Sequence, residues 1–188
     1  MRMLLPLLLV LVSVSLQGCF PVAAVGVGTG VLMSQDRRTS GAYVEDEAIE
    51  TKAFDRIGKQ FKKDVHINVT SFNRNVLISG EAPTEAVKSE IGKLVSSIEN
   101  VRNINNELAV SGTSSLTSRG SDSLITSNVK LRLMNDKRLN ADHVKIITEN
   151  GTVFLMGIVK RAEADAATEV VSTTGGVQRV VKLFEYLD

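Results

Sequence analysis

The stretch His143-Val144-Lys145-Ile146-Ile147-Thr148-Glu149-Asn150-Gly151-Thr152-Val153-Phe154-Leu155-Met156-Gly157 is the most informative part of the chain. Asn-Gly between alternating apolar residues is the strongest short-range hairpin signal, because both turn positions need a positive φ. An earlier stretch repeats it: His66-Ile67-Asn68-Val69-Thr70 leads through a turn to Val76-Leu77-Ile78-Ser79-Gly80. The spacing from His66 to Gly80 equals that from His143 to Gly157, so the two hairpins align without a gap.

The repeat extends outward on both sides. After the first hairpin, Val87, Ile91, Leu94, Val95 and Ile98 recur at helical spacing. After the second, Ala164, Ala167, Val170 and Val171 form a weaker stripe that stops at Gly175-Gly176. Extended segments follow, over residues 101–108 and 177–186. Ahead of each hairpin, Ile49, Ala53 and Ile57 match Ile125, Val129 and Leu133 at the i, i+4, i+8 spacing of one buried helix face. The expected class is therefore α+β: two tandem modules, each ordered helix-strand-strand-helix-strand, with two helices on a small three-stranded mixed sheet. The modules span residues 45–110 and 122–188. Residues 111–121, rich in Ser, Thr and Gly, read as a polar linker, and residues 19–44 as a tether.

The N-terminus reads as a signal for export. Arg2 precedes a continuous apolar run over residues 3–16, which ends in Leu16-Gln17-Gly18-Cys19. This resembles the lipobox of bacterial lipoproteins and implies that residues 1–18 are removed. Cys19, the sole cysteine of the chain, would then carry a diacylglycerol and an N-acyl chain. Each buried acyl methylene contributes about 0.8 kcal/mol, and two or more chains anchor a protein stably. Phe20 stands where lipoproteins retained in the inner membrane typically have aspartate, which implies the periplasm-facing leaflet of the outer membrane.

Removal of Arg2 leaves equal numbers of basic and acidic residues. Bulk charge thus excludes nucleic acid as a partner and leaves only local patches to act. No cofactor, metal, small-molecule substrate or catalytic residue is expected. The two histidines, His66 and His143, occupy one repeated position, and neither has a Cys or carboxylate motif at ligand spacing. Gly26-Val27-Gly28-Thr29-Gly30 lacks the lysine of a phosphate loop, and no serine sits in a nucleophile elbow.

Paired units of this kind, with Gly80 and Gly157 closing the hairpins, resemble BON domains. Two of them behind a lipobox resemble the dual BON-domain lipoproteins of Gram-negative outer membranes. The resemblance covers the whole chain. It implies binding of anionic phospholipid, support of outer-membrane integrity, contact with the outer-membrane protein assembly machinery and enrichment at division sites.

The repeat also locates a candidate lipid surface. Aligned on their buried residues, the two leading helices pair Ala48 with Leu124, Asp55 with Leu131 and Gly58 with Met134. At about 100° per residue, Leu124 and Leu131 fall nearly opposite the buried stripe, with Met134 and Arg138 beside them. Lys130 and Arg132 border the same face. An apolar strip edged by basic residues is the profile of an interfacial helix on anionic lipid. With the family's lipid binding, the expected site is Leu124, Ser127, Asn128, Lys130, Leu131, Met134 and Arg138. Leu124 stands where the family typically has an aromatic. The alternative is a protein-interaction adaptor that uses the same face.

Overall fold

The computed structural model of the protein describes residues 36–61, 65–112 and 114–188. The elements run α1 (Ser40–Phe61), β1 (His66–Phe72), β2 (Asn75–Ala82), α2 (Glu85–Ser96), β3 (Asn103–Asn106), β4 (Ala109–Val110), α3 (Leu116–Asn135), β5 (Val144–Glu149), β6 (Thr152–Val159), α4 (Arg161–Ser172) and β7 (Arg179–Tyr186), with a single 3-10 turn at Ala141–His143 before β5. The expected signal peptide, the lipid anchor at Cys19 and the tether as far as residue 35 lie outside the described residues.

Both hairpins form as the pattern predicts. β1 pairs antiparallel with β2, and β5 with β6. Each turn has two residues at positive φ, Asn73 (51°) with Arg74 (65°) and Asn150 (48°) with Gly151 (69°). Such turns match the right-handed twist of the strands they join. The repeated glycines have a common cause. A Cβ on Gly80 would lie 2.1 Å from the carbonyl oxygen of His66, and one on Gly157 would lie 2.3 Å from that of His143. Backbone at the entry to the preceding strand occupies the space a side chain would need.

After each hairpin the chain crosses over through a helix and returns parallel to the central strand. In the second module this gives the order β5-β6-β7, with β7 paired continuously from Arg179 to Tyr186. In the first module the returning edge breaks into β3 and β4, which both pair parallel with β2 in one register. The break at Glu107-Leu108 falls beside Ser79-Gly80, where Gly80 takes φ +110° and leaves the extended conformation. Gly157 stays within the ladder opposite Phe184.

Each module has its own core. Ile49, Ala53 and Ile57 of α1 pack with Val76, Ile78, Ile91 and Val95. Ile125, Val129 and Leu133 of α3 pack with Val153, Leu155, Ala167 and Val171. A third cluster joins the modules: Phe72 and Leu77 from the first sheet meet Phe154 and Met156 from the second, flanked by Ile147, Val181 and Leu183. Successive strand residues point to opposite faces, so the central strands are covered on both sides, by helices and by the other sheet. That explains the unbroken apolar runs Val76-Leu77-Ile78 and Val153-Phe154-Leu155-Met156, since strands buried on both faces do not alternate.

Two expected boundaries move. Helix α3 begins at Leu116, inside the stretch read as linker, because Ser115 caps it by accepting from the Ser118 N–H at 3.1 Å. Helix α1 begins at Ser40, and the residues before it are fastened rather than free. The Arg37 guanidinium donates to both Glu163 carboxylate oxygens (2.7 and 2.9 Å) and to the Ile158 carbonyl (2.9 Å). Arg38 pairs with Asp36 and Asp46 and lies over the rings of Tyr43 and Phe72.

Candidate functional site

Helix α3 carries the predicted surface. Its buried stripe, Ile125, Val129 and Leu133, faces the second core. On the other side Leu124, Leu131 and Met134 are 68%, 58% and 64% exposed. Ser127 and Asn128 are exposed between them. The Ser127 hydroxyl donates back to the Ser123 carbonyl at 2.9 Å, so it adds little polarity to the strip. No helix among the described residues is long and apolar enough to cross a membrane.

The basic rim differs from its expected form. Arg132 donates to the hydroxyls of Thr174 (2.7 Å) and Thr173 (2.9 Å), which ties it to the end of α4. Arg138 does not lie on the helix. The helix ends at Asn135 because Asp136 turns to an extended conformation (φ −87°, ψ 117°). Arg138 then folds back onto two carboxylates, Asp136 and Glu169, each at 2.7 Å. Its hydrogen bonds hold the Asp136 carboxyl at about 2. The face formed by this trio is net negative, so Arg138 is not a free cation for lipid. Lys130 is exposed and has no ion pair among the described residues. Beside it lies a cleft of about 330 Å³ lined by Asp36, Thr126 and Lys145. Lys137 is also exposed without an ion pair among the described residues. At about 100° per residue a helix continued to Lys137 would turn it away from the strip, which is why the projection missed it.

The hairpin is held against this helix by a buried carboxylate. Asp122 of α3 accepts from the backbone N–H groups of Asn150 and Gly151, both at 2.9 Å. In the first module Asp46 does the same for Asn73 (2.8 Å) and Arg74 (2.7 Å), and also accepts from the Ser71 hydroxyl and Arg38. The sequence reading passed over these two residues. The signal was present: an aspartate stands three positions before the first buried isoleucine of each leading helix, at Asp46 and Asp122.

The leading helix of the first module has polar or small residues, Ala48, Asp55 and Gly58, at the strip positions, but it exposes a different apolar residue: Phe54 on α1 is 80% exposed. It stands at a cleft of about 510 Å³ with Ile57, Gly58, Val65, Ile67 and Val69. Phe54 aligns with Lys130, so a comparison confined to the positions of Leu124, Leu131 and Met134 could not find it.

The BON domain model matches residues 45–112 and again residues 121–188. Both matches coincide with the two helix-and-sheet modules. The chain belongs to the BON-domain family. Among curated relatives, the outer membrane lipoprotein DolP of Haemophilus influenzae is 36% identical over 178 residues, covering 94% of this chain and 92% of its own. The 21 kDa hemolysin of Actinobacillus pleuropneumoniae is 36% identical over 154 residues, 81% of this chain and 79% of its own. The osmotically-inducible protein Y of Escherichia coli is 28% identical over 144 residues, 74% and 72% of the two chains. In family terms, α3 is the leading helix of the second BON domain and Phe54 belongs to that of the first.

Proposed function

We propose that this BON-domain protein is a lipoprotein of the outer membrane, anchored through Cys19, whose second BON domain reads anionic phospholipid through α3. The observation that supports the reading is the exposed strip of Leu124, Leu131 and Met134 with Lys130 and Lys137, which have no ion pair among the described residues. Similarity along nearly the full length to a protein named an outer membrane lipoprotein supports the location. Its role is nonenzymatic support of the envelope.

Magnitudes fit a tethered reader. Full burial of a large apolar side chain contributes ~1.5–3 kcal/mol, and a lysine near an anionic surface ~1 kcal/mol. Ordering and orientation remove several kcal/mol of that sum. Binding of a free domain would be weak, but an anchored one works at an effective concentration on the order of mM.

The test is co-sedimentation of the chain lacking its acyl chains (Cys19→Ala, residues 1–18 removed) with anionic and with zwitterionic vesicles. Binding to anionic vesicles alone, lost in Leu131→Glu and kept in Asp55→Lys on α1, is the expected result. A folded protein that ignores anionic vesicles at low salt would overturn the lipid reading. The exposed strip would then serve the adaptor role instead, with contact to the outer-membrane protein assembly machinery. That role predicts dependence on the shape of Leu124 and Leu131 with little sensitivity to salt.

A further inference from the structure

Where the two sheets meet, three ligand-type side chains from different strands converge. His66 opens β1 and faces Glu81 near the end of β2, with its Nδ1 2.9 Å from a Glu81 carboxylate oxygen. Glu149 arrives from the end of β5 in the other BON domain. The imidazole nitrogen and one oxygen of each carboxylate all lie within 4.8 Å of one another. Glu81 is 1% exposed. It also accepts from the Asn150 side-chain amide (2.9 Å) and from Ser114 (3.3 Å), which fix its orientation. Asn68 donates to Glu149.

From this juxtaposition we propose that His66, Glu81 and Glu149 form a binding site for one divalent transition-metal ion, such as Zn²⁺, that bridges the two BON domains. One imidazole nitrogen and two carboxylate oxygens are a donor set that suits Zn²⁺ and its neighbours. Zn–N and Zn–O bonds of about 2.0–2.2 Å need a small opening of the His66–Glu81 contact and a small closing on Glu149. A cleft of about 170 Å³ borders His66 and Glu149 and is lined also by Arg119, Asp122 and Thr126. It leaves room for water to complete the coordination shell.

Charge points the same way. With a neutral imidazole the cluster holds two carboxylates, and Asp122 adds a third on the cleft wall. Arg119 on that wall is directed at the Ser114 carbonyl (3.0 Å) and hydroxyl. A bound dication would compensate the two carboxylates directly. The second histidine supplies a contrast: His143 Nδ1 has no hydrogen-bond partner among the described residues and lies 3.6 Å from one carboxylate, Glu163.

The chain contains only two histidines, so imidazole resonances report the site cleanly. Zn²⁺ added to the ¹⁵N-labelled, unacylated mature chain should shift the His66 imidazole nitrogens and leave those of His143 in place. Isothermal titration with Zn²⁺ should give one ion per chain. Affinity should fall at least tenfold in His66→Gln and in Glu149→Gln, and stay at the wild-type level in His143→Gln. Equal shifts at both histidines, no saturable binding, or unchanged affinity in the two ligand variants would each overturn the proposal. The imidazole spectrum uses the wild-type fold, so it decides the matter even if a variant fails to fold. The vesicle experiment is independent of this site, since its substitutions lie on exposed faces of α1 and α3.

Discussion

Gly157 shows how much one backbone contact can demand of a residue. With the His143 carbonyl oxygen 2.3 Å from the position of a Cβ, Gly157→Ala must push two paired strands apart. Gly175 has nothing within 4 Å of its Cβ position, and Gly175→Ala should change stability by no more than ~0.5 kcal/mol. Urea unfolding of the two variants should place the Gly157 variant lower by several times that amount. Asp122→Ala removes two charge-assisted bonds and leaves the buried Gly151 N–H without a partner, so a loss of ~2–4 kcal/mol is expected in the same experiment. The constant spacing of the two glycines was legible in the sequence, but its cause was not. The His143 carbonyl, fourteen residues earlier in the turn that leads into β5, occupies the space, and composition carries no trace of that. The two aspartates were legible in principle, as matched residues on matched helices.

Among the elements, α3 is where reading and structure meet most closely. Its buried and exposed faces follow from helical periodicity alone, because 3.6 residues per turn fixes direction once one stripe is known. The charges around it could not be read that way. Glu169, the second partner of Arg138, comes from α4, 31 residues further on, and no local pattern announces it. Among the described residues, basic charge without a carboxylate partner is therefore left around this face at Lys130, Arg132 and Lys137, with Arg132 held by hydroxyls alone. Charge reversal of these two lysines should weaken sedimentation with anionic vesicles and flatten its dependence on salt. The segment before α1 makes a different prediction. Hydrogen bonds from Arg37 are the main reason the Glu163 carboxyl falls from 4.5 to about 2. A depressed carboxyl stabilises the fold above its unfolded value, and that contribution fades as pH drops from about 4.5 toward 2. In Arg37→Ala, stability at neutral pH should be lower by ~1–2 kcal/mol, and the difference from wild type should shrink across that acid window. Chemical denaturation at several pH values measures both.

For the whole molecule, the decisive surface is the one between the sheets. Phe154→Ala empties a site touching both BON domains, so a loss of ~3–5 kcal/mol is expected. Polar pairs ring this apolar centre, with Glu185 accepting from Asn73 and Asn75 and the Lys145 ammonium donating to Glu50. The two domains should consequently unfold as one unit, with coincident transitions by circular dichroism and by fluorescence of Tyr43 and Tyr186, one probe in each domain. The count and order of the domains were legible from repetition, whereas their mutual packing was not. Helical periodicity identifies what a helix hides, but a strand buried on both sides looks the same whatever covers its second face.

Duplication has made each domain the lid of its twin. A lone copy would carry Phe72 and Leu77, or Phe154 and Met156, on a bare sheet and would have to borrow shelter from another molecule. Joining two copies in one polypeptide turns that search into an internal event. It also leaves the outward sides of the leading helices free to differ, as Ala48, Asp55 and Gly58 differ from Leu124, Leu131 and Met134.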